Sequence, residues 1–322
     1  MKTNNKPLIF AARTKNRDLL SVSSSGGVFT ILSDYFLDRG GAVCCCIYDY
    51  NKNLPIFQII TDKLEIDKAR GSKYITSKLG DCFRECEKWL YNNPEKELMF
   101  IGTGCQADGF KQYISNYSSR NRAFIVDLIC YGLPSSLVWT EFLHKINCDN
   151  QPIEHISFKD KRIDWQHPTA YIKTNKREVD IQKYVNLYYS RYVLRPSCYE
   201  CPYTAVERNT DITIGDYWGI EKVHPDFYDR LGNSLLILHT EKATAVFEII
   251  RNSLDTFPSN VSECLQPALI HPVQRPVDRE FFWKDFRRRG INYILTAYGN
   301  KKNIPLYIRI FHKMRRKCLC KK

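Results

Sequence analysis

The chain has 322 residues, 43% hydrophobic and 26% charged, a balance that excludes a disordered polymer and leaves room for a large α/β core with a smaller lobe. No run approaches the roughly 18–20 apolar residues of a membrane-spanning helix, and the N-terminus lacks an apolar segment ending at a cleavage site, so the expected location is the cytoplasm. The net charge of +13 gathers largely in residues 287–289, 301–302 and 313–322 with few interleaved aromatics; this argues against specific nucleic-acid binding and reads as a solvated basic tail, with membrane-surface or acidic-partner contact as the alternative.

Residues 1–22 read as a lead-in. The Ser/Gly turn of residues 23–27 runs into Val28, Phe29, Ile31, Leu32, Tyr35, Phe36 and Leu37 at helical spacing, which predicts a helix starting directly from a turn. Arg39-Gly40-Gly41 ends it, residues 42–48 and 56–61 read as strands, and a helix through Cys82, Cys86 and Leu90 closes at Asn92-Asn93-Pro94. A strand at 98–101 then enters the loop Gly102-Thr103-Gly104-Cys105-Gln106 before a helix. The junction recurs in the strand 123–129, the loop Cys130-Tyr131-Gly132-Leu133-Pro134 and the helix 135–146. Two such units predict a parallel sheet with a site at the carboxyl ends of its strands.

Short alternating strands at 156–158, 170–174 and 178–181 predict an antiparallel insertion spanning about 153–182, followed by a helix at 184–192. Residues 195–209 are polar and turn-rich, while 211–215 and 235–239 return to strand and 242–252 to helix. The expected class is α/β: a mainly parallel core sheet flanked by helices over residues 23–255, the insertion, a cysteine-rich loop, and an aromatic and basic appendage over 256–322.

In a reducing compartment 13 cysteines point to metal ligation, redox work or packing rather than disulfides. Cys198-Tyr199-Glu200-Cys201-Pro202 has a spacing used by zinc and by iron–sulfur clusters, and no helical pattern follows it as a thioredoxin-like dithiol requires. Loop cysteines are better ligand candidates than helix-face ones, which retains Cys105 and Cys130 and assigns Cys82 and Cys86 to packing. Cys44, Cys45 and Cys46 lie within a strand, and Cys148, Cys264, Cys318 and Cys320 have no partner spacing. Four thiolates suit zinc or a 4Fe–4S cluster, and their layout on separate core-sheet loops tips the reading toward the cluster.

Seven ordered motifs then resemble one family. They are Ser-Ser-Gly-Gly-Val-Phe at 24–29, Arg-Gly-Ser-Lys-Tyr at 70–74, Gly-Thr-Gly-Cys-Gln at 102–106, Asp-Leu-Ile-Cys-Tyr-Gly-Leu-Pro-Ser at 127–135, Ile-Ser-Phe-Lys-Asp-Lys-Arg at 156–162, Arg-Pro-Ser-Cys-Tyr-Glu-Cys-Pro-Tyr at 195–203 and Asp-Ile-Thr-Ile-Gly-Asp-Tyr-Trp-Gly at 211–219. Together they resemble the deazaflavin (coenzyme F420) hydrogenase/dehydrogenase β-subunit family, with Gly104 and Tyr131 where relatives commonly carry Pro and His. The resemblance implies FAD and one 4Fe–4S cluster held by Cys105, Cys130, Cys198 and Cys201, with coenzyme F420 or another flavin as electron partner. Residues 1–20 lack the cysteines of a ferredoxin-like segment found in many relatives, so a separate ferredoxin is the expected redox partner. Relatives of this kind resemble surface-polysaccharide biosynthesis proteins, which implies partners in that process; the alternative is a non-redox, metal-stabilised scaffold of a glycan-synthesis assembly.

For the flavin, Ser24, Ser25, Gly26 and Gly27 would present backbone amides and hydroxyls to a phosphate at a helix start, although a helix cap alone explains the same residues. Ser72, Lys73 and Tyr74, beside Arg70 and Gly71, offer cations and a ring to a pyrophosphate and a stacked base, or form a charged surface turn. Within the resemblance Lys73 is expected near the flavin. Asp216 at a strand end is the candidate acceptor for a ribose or flavin ring, or a turn cap. No Ser–His–Asp arrangement or paired carboxylates emerge from these spacings, so hydrolysis has no support.

Overall fold

A computed structural model describes residues 6–147, 150–299, 310, 313 and 314. Strand β1, Leu8–Thr14, is followed by helix α1, Arg17–Val22, whose N-terminus is capped by Asn16 Oδ1 accepting from the Leu19 amide at 3.0 Å. Helix α2, Val28–Leu37, starts from Gly27 at φ +80°, a left-handed conformation that suits glycine. Strands β2, Ala42–Asp49, and β3, Leu54–Ile60, form an antiparallel hairpin. At its turn Asp49 Oδ1 accepts from the amides of Asn51 and Lys52.

Helix α3, Cys82–Asn92, buries Cys82, Cys86 and Leu90, one side chain per turn on a single face. Then come β4, Leu98–Thr103, α4, Gly104–Ile114, β5, Ala123–Leu128, and α5, Ser136–Ile146. Strands β6, Ile153–Asp160, β7, Thr169–Thr174, and β8, Glu178–Asp180, make the separate antiparallel sheet, and α6, Gln182–Tyr189, follows. The chain returns through β9, Ile212–Asp216, α7, Ile220–Val223, β10, Ser234–Leu238, α8, Glu241–Ile250, β11, Leu254–Ser259, α9, Val261–Cys264, and α10, Arg279–Ala297.

The main sheet has the order β11-β1-β10-β9-β5-β4-β2-β3, with β2, β4, β5 and β9 parallel and antiparallel strands at both ends. Its central strands are apolar on both faces, as a covered parallel sheet demands. Helices α2 and α8 cover one face through Leu32, Phe36, Val246 and Phe247, and α3 and α4 cover the other through Cys86, Leu90 and Phe110. The small lobe joins α5, α6 and α10 around Trp139, Tyr184 and Phe282. The α/β class and the antiparallel insertion are thus present.

Two sequence boundaries shift. Residues 8–14, read as part of a lead-in, lie inside the sheet between β10 and β11, and β11 extends the sheet past residue 255. Both strands are antiparallel additions, with sequence partners more than two hundred residues away for β1, so no local strand–loop–helix signal marks them. Within 256–322, α10 packs its Phe282, Ile294 and Leu295 into the small lobe and bends at Gly290, φ +69°. The basic tail at 315–322 lies outside the described residues. Among the described residues no helix is long and apolar enough to cross a membrane.

Candidate functional site

The carboxyl ends of β4, β5 and β9 open into a cleft of about 270 Å³. Residues 23–25, Gly27, residues 69–73 and Asp216 all line it, so segments far apart in sequence meet at one place. A hydrogen bond from Ser72 Oγ to Ser24 Oγ at 3.2 Å joins the first two segments. Helix α2 begins at the cleft, with Val28, Phe29 and Thr30 on its lining and no side chain capping Gly27. Its first amides are therefore suited to an anion.

The two glycines of the turn do different work. A Cβ on Gly26 would lie 2.2 Å from the Ala12 carbonyl oxygen, so this glycine lets the turn press onto β1, and its amide donates to Ser234 Oγ of the neighbouring β10 at 2.9 Å. Gly26 is not a lining residue; Gly27 is. Ser25 lines the cleft with its hydroxyl donating to the Asn233 carbonyl at 2.7 Å.

Lys73 Nζ donates to the carbonyls of Ala69, Arg70 and Gly71 at 2.9, 3.2 and 3.0 Å. Among the described residues no carboxylate pairs with it, and burial pulls its pKa below the usual lysine value, opposed weakly by Cys46 and Cys45. An ammonium in such a place lacks a counter-charge, which a bound anion would supply. Tyr74 is placed elsewhere: it stacks on Tyr188 with centroids 4.6 Å apart, its Oη accepts from Tyr189 Oη at 3.0 Å, and it does not line the cleft.

Asp216 is held firmly. Lys159 Nζ donates to its Oδ2 at 2.6 Å and Trp165 Nε1 to its Oδ1 at 3.3 Å. The Lys159 side chain is only 2% exposed and its ammonium lies 5.2 and 4.9 Å from the ring centres of Trp165 and Trp218, themselves stacked at 4.9 Å. Burial lowers the Lys159 pKa and Asp216 offsets part of that. Beside it burial brings Lys161 down to about 8, its Nζ donating to the carbonyls of Leu20 and Leu231. Neither lysine is marked by spacing: Lys159 lies near the end of β6 between Phe158 and Asp160, and Lys161 follows the strand between Asp160 and Arg162.

The four candidate thiols come from three segments. Cys105, expected in a loop, is exposed in the first turn of α4; Cys130 follows β5; Cys198 lies within the short turn Pro196–Glu200 and Cys201 directly follows it. Burial pushes the Cys130 thiol up to about 12, with Cys198, Cys105 and Cys201 each adding to the rise and the Gly132 amide opposing it, so the other three lie within electrostatic reach of Cys130. The Leu133 amide donates to Cys198 Sγ at 3.3 Å, and Thr103 Oγ1 lies 3.4 Å from Cys105 Sγ. Among the described residues no three Cys, His, Asp or Glu side chains are gathered into a group fit to hold a single metal ion.

The cysteine loop is tied down by residues that spacing did not reveal. Arg279 of α10 donates to Tyr199 Oη and to the Leu194 carbonyl, both at 2.9 Å, and Tyr199 Oη donates to the Arg191 carbonyl at 2.6 Å. Arg208 pairs with the fully buried Asp127, which also accepts from Thr210 and Thr213. Tyr203 crosses the start of α4 so closely that a Cβ on Gly104 would lie 2.7 Å from the Tyr203 Cβ. Tyr131 donates to the Tyr189 carbonyl at 3.1 Å. Cys82 and Cys86 face Cys44 inside the core, where hydrogen bonding to them raises the Cys44 pKa most and burial adds to it. Cys148, Cys318 and Cys320 lie outside the described residues.

Comparison with known proteins adds a family. The profile described as coenzyme F420 hydrogenase/dehydrogenase, beta subunit N-term matches residues 9–83, and the corresponding C-terminus profile matches residues 95–258. Among solved structures, a chain of the F420-reducing [NiFe] hydrogenase complex from Methanosarcina barkeri, determined with xenon, shares the fold at a TM-score of 0.52 and 16% identity, over 78% of this chain and 81% of that one. No curated protein sequence matches.

Proposed function

The chain belongs to the coenzyme F420 hydrogenase/dehydrogenase beta-subunit family, and on that premise we propose that it is an iron–sulfur flavoprotein oxidoreductase whose cleft takes FAD. The observation that carries the reading is the meeting of the 23–27 turn, the 69–73 segment and Asp216 in one cleft around a lysine that has no carboxylate partner among the described residues. The same reading assigns the second cofactor to the four thiols. Cys105, Cys130, Cys198 and Cys201 would hold one 4Fe–4S cluster, since four thiolates are its usual complement and amide hydrogen bonds to sulfur, as from Leu133, favour the charged form.

When bound, FAD supplies exchange between a two-electron donor or acceptor and single-electron carriers. The chain's own residues supply the surroundings. The amides at the start of α2 and the side chain of Arg70 offer a pyrophosphate its donors, and the Lys73 ammonium sets a positive charge that favours an anionic ring. Lys159 pairs with Asp216 at the cleft edge, where the carboxylate is available to accept a hydrogen bond. The exposed position of Cys105 gives a surface exit for electrons, for which a ferredoxin is the partner; coenzyme F420 or another flavin is the proposed two-electron partner.

The test is electron transfer by the anaerobically purified chain. Reduced coenzyme F420, or a reduced flavin in its place, should bleach the absorbance of bound FAD, and added ferredoxin should restore it. Bound flavin that responds to no donor would overturn the redox reading and favour a scaffold.

A further inference from the structure

The net charge is placed very unevenly along the chain. Residues 286–322 carry twelve of the 48 Lys and Arg and none of the 35 Asp and Glu, which leaves residues 1–285 at +1. The basic surface begins on α10 as a fixed part of the body. Phe282 and Phe286 are buried in the small lobe, while Lys284, Arg287 and Arg288, spaced one helical turn apart, are exposed on the opposite side of the helix. Arg289 is exposed beside them, its guanidinium 4.5 Å from the Tyr293 ring centre. Among the described residues no carboxylate pairs with these four cations. The two acids of α10 are spent elsewhere, Glu280 on Arg275 and the buried Asp285 on Tyr298 Oη at 2.8 Å.

What separates this stretch from an ordinary solvated charge run is its apolar content. After α10, Lys301, Lys302, Arg309 and Lys313 are interleaved with Ile304, Leu306, Ile308, Ile310, Phe311 and Met314, and five more cations lie in 315–322. Ile310 and Met314 are helical and four residues apart, hence on one face, and they are 51% and 61% exposed beside the exposed Lys313. A bilayer with anionic headgroups suits both parts. Each Lys or Arg close to such a surface strengthens binding by about fivefold, and aliphatic side chains enter the acyl boundary below the headgroups. A nucleic acid would meet the charge through its phosphates but offers no such boundary to Ile310 and Met314.

We propose that the α10 arginines and residues 301–322 form a docking surface for an anionic lipid bilayer, with the cations on the headgroups and Ile310 and Met314 in the acyl boundary. The assignment is independent of the redox reading, because no residue of the cleft and none of the four candidate thiols takes part.

Co-sedimentation of the anaerobically purified full chain with vesicles tests it, using phosphatidylcholine alone and phosphatidylcholine with about one third phosphatidylglycerol, with duplex DNA as the competing polyanion. The chain should bind the anionic vesicles, ignore pure phosphatidylcholine, and lose at least about tenfold in affinity between roughly 0.1 and 0.5 M salt. The triple variant Arg287→Glu/Arg288→Glu/Arg289→Glu should weaken binding by about a hundredfold or more. The same change of charge placed away from this surface, Lys88→Glu/Lys176→Glu/Lys222→Glu at three exposed side chains, should cost less than about threefold. Ile310→Ser/Met314→Ser leaves the charge unaltered and should weaken vesicle binding by about tenfold with an unchanged melting temperature. No binding to anionic vesicles, an equal loss in the Lys88/Lys176/Lys222 variant, or full affinity in the Ile310/Met314 variant would overturn the docking surface. Duplex DNA bound as tightly as the anionic vesicles would overturn the lipid assignment in favour of nucleic acid.

Discussion

Replacing Lys73 by Met removes one charge and three donors while keeping an unbranched stem of similar length. In the flavin-free chain the ammonium is held by three carbonyls at 2.9–3.2 Å with no counter-charge among the described residues, and burial already lowers its pKa. Its removal therefore relieves a desolvated charge at the expense of three hydrogen bonds, and the melting temperature should change little or rise. Binding of FAD moves the other way. Loss of one charge-assisted contact of about 1.5–3 kcal/mol weakens affinity by roughly one to two orders of magnitude. Flavin fluorescence titration and thermal melting of the same preparations measure both, with iron content as a control that should hold steady. Wild-type affinity in Lys73→Met would refute the placement of the flavin against this lysine; a parallel collapse of stability would show that the lysine serves the fold.

Cys198→Ser and Cys201→Ser should each abolish iron retention, whereas Cys82→Ser should keep iron and lower stability by about 1–3 kcal/mol for a polar group set into the apolar core; equal iron loss at all three refutes the division. Gly104→Ala places a Cβ about where Tyr203 already sits, so the 198–209 loop should shift and both melting temperature and iron occupancy should fall, unless denaturation and metal analysis show neither. For His239, burial lowers the pKa from 6.5 to about 4 and Thr213 Oγ1 lies 2.8 Å from its Nε2. The unfolded chain thus binds the proton first between these values, so His239 makes stability fall as pH drops from about 6.5 toward 4. In His239→Gln the slope of stability against pH over that window should be shallower; an identical slope refutes the assignment.

Much of the site was legible because its parts are local. The Ser/Gly turn ahead of α2 and the cysteines just after β4 and β5 are single-segment signals that a strand–loop–helix pattern places at one sheet edge, although after β4 the helix starts at once and takes Cys105 into its first turn. What escaped is pairwise and distant. Lys159 meets Asp216 across 57 residues, Arg279 reaches Tyr199 across 80, and Arg208 reaches Asp127 across 81, with no periodicity to announce any of them. Tyr74 follows Lys73 directly, yet alternation of direction along the chain sends the ring into the aromatic cluster of α6 while the lysine faces the cleft. Gly26 and Gly27 look equivalent in sequence; the first is required by the Ala12 carbonyl and the second by φ. Strand β1 escaped for the same reason as the ion pairs, since its partner β10 lies at the far end of the core.

The central claim, one cluster and one flavin on a single chain, is tested most directly by quantifying iron, acid-labile sulfide, zinc and FAD in one anaerobically purified sample. The account predicts about four iron and four sulfide per chain, with FAD retained or taken up to one equivalent. Stoichiometric zinc without iron, together with no affinity for FAD, would contradict it.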